Sequence, residues 1–294
     1  MNTRIIPVDY NYLAPSTLQE ALSILAEKPR VKILAGGTDL FVKLKTGADI
    51  PLEYILDIKR IEELKLLKYC QRGLFIGPLA TLSQLEKHPD ILDHYPALAE
   101  ALRTMGAVSI RNLATMAGNL CNASPVADTA GPAICYGAQL KLENISNNRT
   151  VLAEDFFTGP QTNVMTPQEM LTEIFLPLPP ANCGGAFIKK NRVKADIAKI
   201  SATAVLSREK NTIAFCRIAM GSIAAVPLFL KDLSASLVGR EMSRDLRREA
   251  GQNAAETIRP IDDNRTTARY RTAIAGLLLE EVLATAWQRA GGEL

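Results

Sequence analysis

The sequence is poor in the residues from which most metal, thiol and hydrolytic centres are made. It has two histidines, His88 and His94, and five cysteines, Cys70, Cys121, Cys135, Cys183 and Cys216. None of the cysteines form a C-x-x-C pair and no ferredoxin-type cysteine run is present, so a zinc or iron–sulfur site built by this chain is not expected. Both histidines fall in the polar helical stretch KHPDILDHYP, where solvated surface positions are expected, and a Ser-His-Asp or Cys-His arrangement finds no support. Strong charge of one sign is also missing. The 34 basic and 31 acidic residues leave a net charge of +3, too little to argue for nucleic acid or a membrane surface. No apolar run approaches the roughly 18 residues that a spanning helix needs. The opening MNTRIIPVDYNYLAP lacks the apolar centre of a signal peptide, so a cytoplasmic location is expected. Neither G-x-G-x-x-G with its following acidic residue nor a G-K-[ST] loop occurs, which excludes the Rossmann and P-loop devices.

What is present suits a globular chain of two domains: 294 residues, 47% hydrophobic and 22% charged. PSTLQEALSILAEKP reads as a helix, with Leu18, Ala21, Leu22 and Leu25 on one stripe, a Ser16–Gln19 capping box and Pro29 at its close. GLFIGPLATLSQLEKHP reads as strand, turn and a short helix capped by Thr81 with Gln84. PALAEALRTMG is helical, while AQLKLEN and EMLTEIFLP read as strands. The proline-rich LPLPPANCGG is the best linker, with Gly184-Gly185 marking its exit. Beyond it lie three β-like runs, GAFIKKN, IAKISATAVLS and NTIAFCRIAMGS. A final helix of about 266–289 carries Ile274, Leu277, Leu278 and Val282 on its apolar stripe.

Two stretches carry the chemistry. In ILAGGTDLFVKLKTG a branched run meets Gly36-Gly37, and glycine permits both φ > 0 and close approach of backbone to a ligand. TMGAVSIRNLATMAGNLCNASPVADT, residues 104–129, is long, weak in periodicity and rich in small and polar residues, the mark of a functional loop. Successive free amides can form a concavity for a pyrophosphate. Thr115, Asn119, Asn122 and Ser124 offer hydroxyls and amides to phosphate and ribitol oxygens, and Asp128 suits a sugar hydroxyl. Together the two loops suggest a dinucleotide clamped between them.

AGGTDL at 35–40 and IRNLATMAGNLCNASPVADT at 110–129 resemble the two FAD-binding signatures of the flavoprotein subunit of the xanthine dehydrogenase and carbon monoxide dehydrogenase family of molybdenum hydroxylases. The likeness extends to GAFIKKNRVKADIAKIS, AMGSIAAVP and ARYR, and departs from the family's pattern at Ala117, where glycine is frequent. It implies an α+β fold. A two-part FAD-binding domain of the vanillyl-alcohol-oxidase (PCMH-like) type would occupy 1–178, divided into about 1–55 and 56–178. A C-terminal flavoprotein domain, 183–294, would carry a three-stranded antiparallel sheet backed by helices. It implies that Ala35, Gly36, Gly37, Thr38 and Asp39 wrap the pyrophosphate, while Thr115, Gly118 and Asn119 close from the other side. Met105 and Gly106 would lie near the ring system, Cys121, Asn122 and Ser124 along the phosphate and ribityl path, and Asp128 on a hydroxyl. Cys121 is expected to pack rather than to do redox chemistry. Lys189 or Lys190 would approach the flavin pyrimidine, Leu171 would cover the ring or serve the core, and Arg111 would brace the loop or a partner surface. On this reading Gly36-Gly37 lets backbone amides reach the phosphates of FAD.

The resemblance further implies an electron-transfer subunit of a cytoplasmic hetero-oligomeric oxidoreductase. Molybdopterin would sit on a large subunit and [2Fe–2S] clusters on a small one. FAD on this chain would pass electrons to NAD⁺ or another acceptor. No catalytic side chain and no metal ligand is expected here, and substrate choice would lie on another polypeptide. A benzoyl-CoA-reductase-type subunit is disfavoured, since only Cys135 falls between Ser124 and Asp155. A stand-alone flavin oxidase and a non-catalytic FAD-binding or assembly module are the remaining alternatives.

Overall fold

The structure, a computed structural model, describes residues 9–47, 51–193 and 195–294. The first eight residues of the opening segment and Lys194 of the FIKKNRVKADIAKIS run lie outside the described residues. In the first unit β1 (Asn11–Leu13), α1 (Leu18–Glu27), β2 (Val31–Leu34), α2 (Leu40–Lys45) and β3 (Tyr54–Asp57) build a parallel three-stranded sheet, ordered β1-β3-β2. The α1 stripe packs Ala21, Leu22 and Leu25 against Leu56, Ile58, Ile61 and Leu64. The division expected near residue 55 therefore falls inside β3, and this core runs on through Leu64. The helix cap also differs by one residue from expectation: the box is Thr17–Glu20, not Ser16–Gln19. The Glu20 carboxylate accepts from both the Ser16 amide (2.9 Å) and the Thr17 amide (3.4 Å), which a charged acceptor does better than an amide.

The larger unit contains β4 (Leu67–Cys70), β5 (Gly73–Ile76), α3 (Leu82–Glu86), α4 (Pro89–His94), α5 (Pro96–Thr104), α6 (Val108–Arg111), α7 (Met116–Cys121), α8 (Ala130–Cys135), β6 (Gln139–Glu143), β7 (Asn148–Leu152), β8 (Phe157–Gly159), β9 (Thr162–Asn163) and β10 (Met170–Pro177). Its antiparallel sheet runs β4-β5-β10-β6-β7. The Thr81–Gln84 box forms as read from the sequence. The stretch 104–129, by contrast, is not an open loop, since α6 and α7 each fold a short turn within it. His94 is exposed but stacks on Tyr69 at 5.2 Å. His88 is half-buried with Nδ1 3.5 Å from Asp90, against the expectation of a solvated side chain.

The C-terminal unit joins β11 (Cys183–Lys190), β12 (Ile200–Glu209), β13 (Thr212–Gly221) and β14 (Leu228–Phe229) into an antiparallel sheet in that order, followed by α9 (Lys231–Leu237), α10 (Arg244–Thr257) and α11 (Ala268–Arg289). The three strands expected are joined by a two-residue fourth. Strand periodicity sends alternate side chains to opposite faces, and here both faces are covered. Ala186, Ile200, Ala202, Ala204, Leu206 and Ile218 join the core under α10 and α11. Phe187, Val205 and Ala219 join the core of the larger unit. Gly184 and Gly185, expected to punctuate the linker exit, instead lie inside β11. A Cβ at Gly184 would stand 2.0 Å from the Ala286 carbonyl oxygen, and one at Gly185 2.4 Å from the Tyr136 hydroxyl. They are there because α11 and Tyr136 approach the strand backbone. On α11 itself Leu278 and Val282 are buried as expected, but Leu277 is 62% exposed. The inner face is completed by Arg271, Ala275, Leu279, Leu283, Ala286 and Trp287.

Gly184→Ala should force α11 off β11 and destabilise the chain by about 2 kcal/mol or more. Urea unfolding followed by circular dichroism checks this, and an unchanged midpoint would refute the close approach.

Candidate functional site

The loop after β2 and the segment α6–α7 meet backbone to backbone. A Cβ on Gly36 would lie 2.1 Å from the Leu113 carbonyl oxygen and 2.9 Å from the Ala114 Cα. The space that a side chain would fill is thus taken by the second segment. This corrects the reading that Gly36 is bare in order to admit phosphates. Gly37 meets a different need, a left-handed turn with φ +70°. That turn delivers the chain into α2, where the Phe41 amide donates to the Gly37 carbonyl. Among the described residues no acceptor is met by the amides of Thr38, Asp39 and Leu40, nor by that of Ala117 in the first turn of α7, whereas the antiparallel Thr81–Thr115 bridge turns the Met116 amide to the Ala80 carbonyl. Uncommitted donors therefore stand on both sides of the Gly36–Leu113 contact. Ala117 is buried and helical, without a left-handed backbone, so the departure from glycine is accommodated.

The other polar residues of the second segment are mostly engaged in holding its shape. The Thr115 hydroxyl, 4% exposed, accepts from the Gly118 amide at 3.0 Å and caps α7. The Asn119 side-chain oxygen accepts from the Thr129 hydroxyl at 2.6 Å, tying the helix to the chain beyond it. Asn122 Oδ1 accepts from Lys43 Nζ at 2.5 Å, and Ser124 Oγ takes the Val126 amide at 3.4 Å. Arg111 braces the loop: it pairs with Glu86 at 2.8 Å and donates to the carbonyls of Met105 (3.3 Å) and Gly106 (2.9 Å). Gly106 is itself left-handed at φ +57°. Cys121 packs against Met165, sulfur to sulfur 3.8 Å, and burial pushes its thiol up to about 12. A thiol so far from ionising is a packing group.

Asp128 ends the segment on the floor of the domain interface, where Lys189 of β11 meets it at 2.8 Å. Their side chains are 9% and 2% exposed. Burial raises the Asp128 carboxyl, and the Lys189 ammonium offsets only part of the shift. Asp128 Oδ1 is buried with no hydrogen-bond partner among the described residues. An orphaned acceptor of that kind is costly unless something donates to it. Lys190, on the opposite face of the strand, is instead half-exposed and reaches Glu281 on α11 at 3.4 Å.

The expected residues thus fall into three groups. Ala35 to Asp39, Met105, Gly106, Thr115, Gly118, Asn119, Cys121, Asn122 and Ser124 belong to the two joined loops. Asp128 and Lys189 form the buried pair between domains. Leu171 stands apart: it is 3% exposed in the core of the larger unit, opposite Leu142, with no surface left to cover a ring. Lys43, Glu86 and Thr129 were not singled out from the sequence. Only Lys43 had a signal there, the i, i+4 spacing to Asp39 that favours an ion pair on a helix.

The model of the FAD binding domain in molybdopterin dehydrogenase matches residues 8–179, and that of the CO dehydrogenase flavoprotein C-terminal domain matches 185–286. The chain belongs to the FAD-binding medium-subunit family of the molybdenum hydroxylases. It is 30% identical to caffeine dehydrogenase subunit beta of a Pseudomonas species, over 96% of either chain. It is 29% identical to the xanthine dehydrogenase FAD-binding subunit of Escherichia coli O157:H7, over 97% of this chain and 98% of that one. Its fold superposes on carbon monoxide dehydrogenase from Hydrogenophaga pseudoflava with a TM-score of 0.93 and 30% identity, covering 97% of this chain and 99% of the other. Among the described residues no helix is long and apolar enough to cross a membrane.

Removing one partner of a buried ion pair strands the other charge. Lys189→Met should therefore cost about 3 kcal/mol of stability. The double variant Lys189→Met, Asp128→Asn should recover part of that loss in urea unfolding. Equal stability of the single and double variants would refute the coupling. Gly36→Ala should wedge the loops apart and weaken FAD binding at least about tenfold, a loss of roughly 1.4 kcal/mol, read by quenching of flavin fluorescence.

Proposed function

We propose that this chain is the electron-exit component of a molybdenum hydroxylase complex. It would take electrons from iron–sulfur clusters on a small partner subunit and pass them through FAD to NAD⁺ or another acceptor, while a large partner subunit carries molybdopterin and the substrate site. Membership of the medium-subunit family supports the assembly. The observation that carries the cofactor reading is the joined loop pair, with uncommitted amides on both sides of the contact and an orphaned buried carboxylate oxygen beyond it. These groups fit a dinucleotide: amides suit a pyrophosphate, and a lone carboxylate oxygen suits a hydroxyl donor.

On this reading Gly37, Thr38 and Asp39 hold the pyrophosphate from one side. The Ala117 amide of α7 holds it from the other, with Gly118, bare of a side chain, permitting close approach and Asn122 and Ser124 alongside. Thr115, Asn119 and Arg111 fix the shape of the second loop. Met105 and Gly106, anchored through their carbonyls by Arg111, flank the ring system. Asp128 receives a hydroxyl of the cofactor, and Lys189 supplies the positive charge nearest to it. Bound FAD supplies the hydride and single-electron chemistry that peptide side chains lack. The protein contributes binding, orientation and local charge. No side chain here is assigned as a general acid or base.

The full-length chain freed of flavin should take up FAD in about equal amounts and bind FMN at least tenfold more weakly, since a mononucleotide lacks the pyrophosphate. Absorbance after desalting reads both. Mixing the loaded chain with NADH in a stopped-flow cell should bleach the flavin band if NAD⁺ is the acceptor. A chain that retains no flavin would overturn the reading, and a band unmoved by NADH would assign a different acceptor.

A further inference from the structure

We propose that Lys43 is a latch that fixes the separation of the two loops before FAD arrives, a positioning role that rests on FAD lying between them. Lys43 sits within α2, four residues after Asp39. Its Nζ stands 2.8 Å from Asp39 Oδ2 and 2.5 Å from Asn122 Oδ1, so one ammonium spans both loops. Among the described residues this is the hydrogen bond that joins residues 35–47 to residues 105–124. The Gly36–Leu113 backbone contact gives one fixed point between the segments, and a single point leaves a hinge. The Lys43–Asn122 bond adds a second point at the far end of α7, which sets an angle as well as a distance.

The acceptor is held in place too. Asn122 is the C-cap of α7. The residue after it, Ala123, is fully buried in a left-handed conformation at φ +48°, with its carbonyl taken by the Gln161 amide at 2.9 Å. The chain reversal there aims Asn122 by backbone geometry. On the other side Asp39 is 53% exposed, and the Lys43 side chain is only 29% exposed. An ammonium has three donors, and two are used, one toward each segment. Ordering a site before its ligand binds removes part of the entropic cost of binding.

The test uses the full-length chain and reads it both without FAD and with it. In the unloaded chain, Lys43→Met should speed amide hydrogen exchange in residues 41–46 and 118–123, whose amides are hydrogen-bonded, by about fivefold or more, through local opening. The same variant should weaken FAD binding about tenfold by titration calorimetry. Lys43→Arg, which keeps the charge and reach, should stay near wild type in both readouts. In Lys43→Met, Asn122→Ala the double variant should bind FAD no more weakly than Asn122→Ala alone, because the two residues act through one bond. Unchanged exchange in both loops overturns the latch even if affinity falls, since Lys43 would then be only a phosphate contact. Wild-type affinity with faster exchange overturns it as well. If the wild-type chain takes up no FAD, the reading of the site fails, while the exchange comparison of the unloaded chain still decides the latch.

Discussion

The register of β11 is the constraint on which the arrangement of the site depends. Both faces of the C-terminal sheet are buried, so a slip of one residue would exchange every side chain between two different cores. In the observed register Phe187 and Lys189 face the larger unit, while Ala186 and Ile188 face the helices behind the sheet. That parity sends Lys189 to Asp128 and leaves Lys190 to the surface. Gly184 and Gly185, by accepting α11 and the Tyr136 hydroxyl at close range, hold the strand where this happens. Among the described residues two more ion pairs cross the same interface, Arg289 with Glu100 and Arg217 with Glu154. Glu100 also receives the Phe187 amide at 2.8 Å, so the strand is pinned two residues from Lys189.

A site made in this way separates two jobs that the sequence runs together. The side chains of Thr115, Asn119 and Arg111 are spent inward, on caps and carbonyls, and they make the second segment rigid. What remains to face a ligand is largely backbone amide, which has no rotamers to freeze. Charge is rationed in the same manner: one cation, Lys43, sits where the loops join, and another, Lys189, sits deep between the domains, each already paired with a carboxylate. The Lys189 pair leaves the carboxylate Asp128 with one oxygen still to satisfy.

Much of this was legible beforehand, for identifiable reasons. The apolar stripe of α1, the Thr81–Gln84 box and the long strands of the C-terminal sheet follow from local periodicity and capping, which act over a few residues. Where local reading went astray, two local solutions competed or a distant neighbour decided. Thr17–Glu20 displaced Ser16–Gln19 because a carboxylate outcompetes an amide for the same N–H groups. Leu277 lies on a stripe that periodicity allows, yet nothing covers it, whereas Arg271 is buried because the carbonyls of Lys199 and Ile261 and the carboxylate of Asp263 come to it from elsewhere in the chain.

The family, the two loops and the residue types within them could be read from the order of amino acids alone, because the need for small residues and free amides is written into it. It could not say why each glycine is there. Gly36 answers to Leu113 and Gly184 to Ala286, contacts between residues distant in sequence that only packing creates. Nor could it choose between Lys189 and Lys190, adjacent and chemically identical. Packing separates them, because the face each presents depends on how β11 pairs with β12 and on which core lies behind each side of the sheet.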